Sequence, residues 1–149
     1  MMIAIDLMVT LILFLLGVLH VYWACGGKFG SQAVIPVRSS ELGTQPLFAP
    51  GKTGTIMVAI LLWGAAYVLT VQSGIISDFL GLNPRIFFYL CSLCSFVFAV
   101  RALGEFRYVG WFKTIRGTRF ASMDYIVYTP LCMLLSTVFA LSAFGWFHE

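Results

Sequence analysis

The sequence predicts an all-α integral membrane four-helix bundle. Three observations carry that prediction. Of the 149 residues 60% are hydrophobic, 16% aromatic and 10% charged, with mean hydropathy +0.96, whereas a soluble domain carries roughly 25% charged residues. Four apolar stretches are long enough to form spans, and the cations gather at one end of them. A soluble chain this apolar could not cover its own surface, but lipid solvates apolar side chains directly. The length fits one transmembrane domain, 1–149.

The spacing places helices at about 3–25, 53–74, 85–105 and 123–147. The first run, from Leu7 to Cys25, resembles a signal peptide in length. It has no Lys or Arg before it, carries Asp6 instead, and has the bulky Trp23 where a lipoprotein cleavage site needs small residues. It reads as a retained helix. The second run, Thr53 to Ser77, is uncharged, and Thr53 is placed to cap it. The third, Ile86 to Val100, is bracketed by Arg85 and Arg101 and is short against the usual span of about 20 residues, so the arginines must snorkel or find partners. The fourth, Tyr125 to Phe147, is uncharged and has Pro130 one turn inside, either kinking the helix or absorbed in its first turn. Within hydrocarbon all four must be helical, because every backbone polar group needs an internal partner. Strand-like alternation is absent, which argues against a barrel.

Four spans put both termini on one side and both large loops on the other. Lys28, Arg38, Lys52, Arg101, Arg107, Lys113, Arg116 and Arg119 fall on the loop side, and only Arg85 on the side of the termini. That asymmetry predicts cytoplasmic loops and external termini in a bacterial inner (plasma) membrane. No charge run points to nucleic acid.

The first loop, from Gly26 to Lys52, is long for a helical hairpin, and its glycines and prolines exclude a long regular helix. Its apolar middle, Ala33 to Val37, is expected to fold back over the helix ends as a lid. Its Gly-Gly-Lys lacks the full pattern and preceding strand of a phosphate-binding loop. The second loop, from Gly104 to Ser122, interleaves aromatics with cations. If helical, it would lie at the interface with Arg107, Lys113, Arg116 and Arg119 on lipid head groups.

Three polar pairs converge at the loop end of the bundle. His20 and Trp23 close helix one; Arg101 and Glu105, four apart, close helix three; Asp124 and Tyr128, four apart, open helix four. Ionisable groups in a membrane are costly and tend to pair or to serve function. A polar pocket lined by these six residues is therefore the expected site. His20 would exchange a proton, Glu105 or Asp124 would orient it or meet a cation, Arg101 would hold an anionic group, and Trp23 and Tyr128 would form walls. The plainer readings are an Arg101–Glu105 pair, Asp124 at a helix N-terminus, His20 on a carbonyl, and Trp23 and Tyr128 as interface aromatics.

Cys25, Cys91, Cys94 and Cys132 form no zinc pattern. Cys91 and Cys94 sit mid-span, where free cysteines behave as small hydrophobes, beside a stripe of Ser92, Ser95 and Ala99 suited to close helix approach. No metal or cofactor is indicated. His20 and His148 fall on opposite faces, which excludes a bis-histidine haem within one chain.

The stretch His20-Val-Tyr-Trp23-Ala-x-Gly-Gly27, the Pro50-Gly51 pair, and above all Gly104-Glu-Phe-Arg-Tyr-Val-Gly-Trp-Phe-Lys113, followed by Thr118-Arg-Phe-Ala121, Asp124, Tyr128 and Pro130-Leu-Cys132, resemble the bacterial membrane proteins catalogued as domain of unknown function 3995. Glu105 stands where that family more often carries Asp, which keeps the charge. The resemblance implies a four-helix fold over almost the whole chain and implies no activity.

The resulting functional expectation is a membrane protein binding or processing a small amphipathic or lipid-like molecule at the cytoplasmic helix ends. The alternatives are a small proton-coupled transporter, disfavoured by the lack of a carboxylate near mid-membrane, and a non-catalytic subunit of a membrane complex. Membrane lipids are the expected surroundings, with a homodimer or a membrane-complex partner in view.

Overall fold

In the computed structural model, residues 2–40, 43–47 and 50–145 are described. The order is α1 (Met2–Ala24), α2 (Ser31–Val34), β1 (Val37–Ser40), β2 (Gly43–Pro46), α3 (Lys52–Gln72), α4 (Pro84–Leu103), α5 (Arg119–Met123), a π-helical turn (Asp124–Tyr128) and α6 (Thr129–Gly145). The last three form one continuous helix, so four helices are long and apolar enough to cross a membrane: Ile3–Ala24, Lys52–Gln72, Pro84–Leu103 and Arg119–Gly145. The chain is a multi-pass membrane protein. His148 and the end of the fourth apolar run at Phe147 lie outside the described residues.

Local chemistry sets most helix ends. Gly26 (φ 94°) closes α1, with Gly26 N–H donating to Trp23 C=O and Gly27 N–H to Tyr22 C=O. Gly74 (φ 68°) closes α3 in the same way, through Val71 and Thr70. Both are Schellman terminations, which favour glycine in the left-handed region. Asn83 caps α4 by accepting from Arg85 N–H at 3.0 Å, with Pro84 in the first turn. Thr53 does not cap α3. That helix begins at Lys52 after Gly51, with no side-chain cap.

Pro130 leaves the fourth span unbroken. Its ring would crowd the carbonyl four residues back, at Ile126. The wider π turn immediately before it, in which Thr129 N–H reaches Asp124 C=O, accommodates that crowding.

The bundle is two helical pairs side by side. α1 packs along α3 and α4 along α6, and α3 touches α4. Val9, Leu13, Ala66, Leu69, Phe87, Cys91, Leu135 and Phe139 form the core. Leu11, Leu61, Phe96 and Ile126 point outward, as helices solvated by lipid allow. Lipid is as apolar as these side chains, so close packing and hydrogen bonds must hold the helices together. Gly17 brings α1 onto Trp63 of α3, whose indole N–H donates to Phe14 C=O at 3.1 Å. Ser95 and Ser136 exchange bonds across α4 and α6, each hydroxyl donating to the other's carbonyl at 2.8 and 2.9 Å. Ser95 of the small-residue stripe of α4 thus faces α6.

The first loop folds into one helical turn and a two-stranded hairpin, neither of which its sequence pattern announces. Ser31–Val34 makes one helical turn, and Val37–Ser40 pairs antiparallel with Gly43–Pro46, Val37 opposite Pro46. Ala33 and Pro36 are buried, and α2 rests against α5. Tyr128 Oη donates to Ala33 C=O at 3.3 Å.

Candidate functional site

The loop end of the bundle is organised by the segment after α4. At Gly104 (φ 79°) the helix stops and the chain turns back on itself, so that Trp111 N–H donates to Ala102 C=O at 2.9 Å. The two limbs cross at glycines. A Cβ on Gly104 would lie 1.8 Å from Val109 O, and one on Gly110 (φ 89°) 2.4 Å from Leu103 O. Backbone against backbone leaves no room for a side chain, and positive φ disfavours one. Tyr108 is buried inside the loop, with the Arg107 guanidinium 5.5 Å from its ring centre. The returning limb is tied down by Thr114 N–H to Phe106 C=O and Ile115 N–H to Arg107 C=O.

That turn delivers Lys113 to Asp124. The Asp124 side chain is fully buried. Its Oδ1 accepts from Arg101 Nη2 at 2.9 Å, and its Oδ2 from Lys113 Nζ and Gly110 N–H, both at 2.8 Å. Lys113 is only 3% exposed, also donates to Gly110 C=O, and has the Tyr125 ring 5.6 Å away. One carboxylate thus gathers α4, the crossing loop and the π turn. Burying these charges is tolerable because they are paired and hydrogen-bonded. The guanidinium keeps a further arm, and Arg101 Nη1 is buried without a partner among the described residues.

The six expected pocket residues separate into groups. Arg101 and Asp124 form an ion pair, and Tyr128, one turn beyond Asp124, meets the Phe120 ring at a tilt and bonds the first loop. Glu105 was expected to share a helix face with Arg101. It lies beyond the end of α4, exposed, and makes no ion pair among the described residues. The glycine that starts the crossing loop removes Glu105 from the helix, and Asp124 takes the arginine instead. His20 and Trp23 form a separate pair, with rings edge-on at 5.1 Å. The His20 Nδ1 is 2.7 Å from Leu16 C=O, and Trp23 Nε1 donates to Phe29 C=O at 2.8 Å. Among the described residues, no hydrogen bond, ion pair or ring contact joins either one to Arg101 or Asp124.

The four expected head-group cations also divide. Arg107, Arg116 and Arg119 are exposed. Lys113 is withdrawn from any head group by its bonds to Asp124. The segment from Gly104 to Gly117 is not an interfacial helix, because its glycine crossing imposes an irregular path, and helix resumes only at Arg119.

The sequence profile of a family described as a protein of unknown function (DUF3995) matches residues 13–139. The chain belongs to this family. No curated protein and no solved structure matches it. The matched region of this family member includes the glycine crossing, Lys113 and Asp124, together with parts of all four spans.

Two clefts flank the crossing loop. One, of about 220 Å³, is lined by Trp111, Lys113, Arg116, Ser122, Tyr125 and Ile126, among others. The second, of about 420 Å³, is mostly apolar and runs between α4 and α6, lined by Ala102, Leu103, Trp111, Phe112, Met133 and Thr137, among others. Trp111 is common to both. Sequence reasoning missed Lys113 as a partner of Asp124 and Trp111 as a shared wall. The distance of 11 residues between Lys113 and Asp124 crosses an irregular loop, where no periodic rule applies. The glycines at both ends of the loop were the available signal.

Proposed function

We propose that the loop face binds the anionic head group of an amphipathic molecule, with its apolar chain in the groove between α4 and α6. The observation that carries this reading is the imbalance at Asp124. Two cations share one carboxylate, and Arg101 retains a buried N–H arm without a partner among the described residues. Such a donor favours a charged acceptor, and charge-assisted bonds are the stronger kind. Arg116 adds positive charge at the smaller cleft, and Trp111 separates that basic cleft from the apolar one. A molecule with a charged end and a hydrocarbon end matches this division. The excess of cations on the loop side supports a bacterial inner membrane with the loops in the cytoplasm, so the head group would come from the inner leaflet.

The test is binding of a short-chain phosphatidylglycerol against the matching phosphatidylcholine, measured by native mass spectrometry in mild detergent. The anionic lipid should bind in preference. Arg101→Lys can keep a charge on Asp124 but lacks the second planar arm, so it should weaken phosphatidylglycerol by about tenfold, the scale of one charge-assisted bond of roughly 1.5 kcal/mol. Equal binding of the two lipids, or no effect of Arg101→Lys, would refute the proposal.

A further inference from the structure

At the opposite end of the bundle, α1 and α3 enclose a second polar cluster. Asp6 is 2% exposed although it lies in a membrane-spanning helix. Its Oδ1, Thr10 Oγ1 and Ser73 Oγ are all buried, and none has a hydrogen-bond partner among the described residues. Asp6 and Thr10 are one turn apart on α1, hence on one face. Ser73, at the end of α3, lies beside the Asp6 carboxyl, close enough for the two side chains to interact. Cys91 of α4, fully buried, is also near Asp6. No Lys or Arg is paired with Asp6 among the described residues, and Arg85, the one cation of this side, makes no ion pair there.

A buried carboxylate without a cation is among the costliest arrangements in a membrane. Here it stands with two buried hydroxyls that have no other side-chain or backbone partner among the described residues. All three donors are oxygen, the ligand type that hard cations take. One negative charge is neutralised by one positive charge, which selects a monovalent ion. We propose that Asp6, Thr10 and Ser73 bind an alkali-metal cation between α1 and α3. The ion would bridge the two helices of this pair and offset the buried charge. It lies at the far end of the bundle from the Arg101–Asp124 cluster, so it stands independently of the lipid-binding reading.

Thermal unfolding of the full chain in detergent, at constant ionic strength in lithium, sodium, potassium or choline chloride, tests this. A ligand that binds only the folded state raises the midpoint saturably with its concentration. At least one alkali cation should do so relative to choline, and Asp6→Asn should abolish the response while Ser73→Ala and Thr10→Val reduce it. Should Asp6→Asn fail to fold, equilibrium dialysis of lithium, sodium and potassium against the wild type and Ser73→Ala decides instead: saturable binding of one of them, weakened in Ser73→Ala, is expected, and binding of none overturns the site. Identical midpoints in all four salts, or a response that survives Asp6→Asn, overturns the site. So does an infrared carboxylic-acid band assigned to Asp6 that persists in saturating alkali chloride, because a proton then meets the need.

Discussion

Lys113 and Asp124 meet at 2.8 Å with both side chains almost wholly buried. A lysine from an irregular, aromatic loop thereby becomes a structural partner of the fourth span. Removing one member of a buried pair strands the other, at a cost of about 3–5 kcal/mol. Asp124→Asn should therefore lower the unfolding midpoint in detergent strongly. Lys113→Met, which removes the ammonium but keeps the length, should cost less in the Asp124→Asn background than in the wild type. A double-mutant cycle measures this, and strict additivity would show that the two groups are not coupled.

Gly110 lies under the Leu103 carbonyl. A methyl group at 2.4 Å from a backbone oxygen, on a residue at φ 89°, cannot be absorbed by a side-chain rotation. Gly110→Ala is expected to open the crossing loop and to destabilise by on the order of 1–3 kcal/mol. Protease cleavage after Arg107 or Lys113 in mild detergent should accelerate in this variant, whereas Gly117→Ala, where a Cβ meets nothing, should leave it unchanged.

Gly17 makes the corresponding contact within the spans. Its Cβ would lie 2.2 Å from Trp63 Nε1, and that ring is fixed by its bond to Phe14 and by stacking on the Phe14 ring. Overpacking of this kind costs about 1–3 kcal/mol. Gly17→Ala should lower the thermal midpoint, and adding Trp63→Phe should restore part of the loss. If Trp63→Phe gives no recovery, the close approach of α1 and α3 at this point is wrong.

Asp78, in the turn between α3 and α4, accepts bonds from the Tyr67 hydroxyl and from the backbone N–H groups of Leu80 and Leu82. The Tyr67 bond above all, then the backbone bonds, holds its carboxyl below the ordinary value of 3.8. A depressed folded value means that the stabilisation is complete above the unfolded value and disappears as pH falls through the folded one. The carboxyl carbon signal of Asp78 in NMR should therefore titrate below 3.8, and Tyr67→Phe should move its midpoint upward. A midpoint that does not move would remove Tyr67 as the cause.

The four spans were legible because their signal is additive. Each stretch of about 20 apolar residues declares itself without reference to its neighbours. The family signature was equally open, since Gly104, Gly110, Trp111 and Asp124 stand in one readable segment. The site was legible only in part. Arg101 and Asp124 meet in an ion pair, whereas helical spacing pairs Arg101 with Glu105. Spacing rules hold only while the helix continues, and Gly104 ends it. In the sequence Asp6 is only the charge ahead of the first apolar run. Its burial depends on how α1 lies against α3, which no local pattern contains.

Composition and the run of apolar residues, by themselves, determined that this chain crosses the membrane four times, and which loops share a side. Those properties follow from the transfer of each segment into lipid, one segment at a time. Only the tertiary structure decided which charges meet. A crossing of two glycines carries Lys113 to Asp124, and the packing of α1 on α3 encloses Asp6 with Ser73. Ion pairing depends on a few ångströms between groups distant in sequence, and in a bundle those few ångströms are set by helix contacts and by backbone turns too close for a side chain.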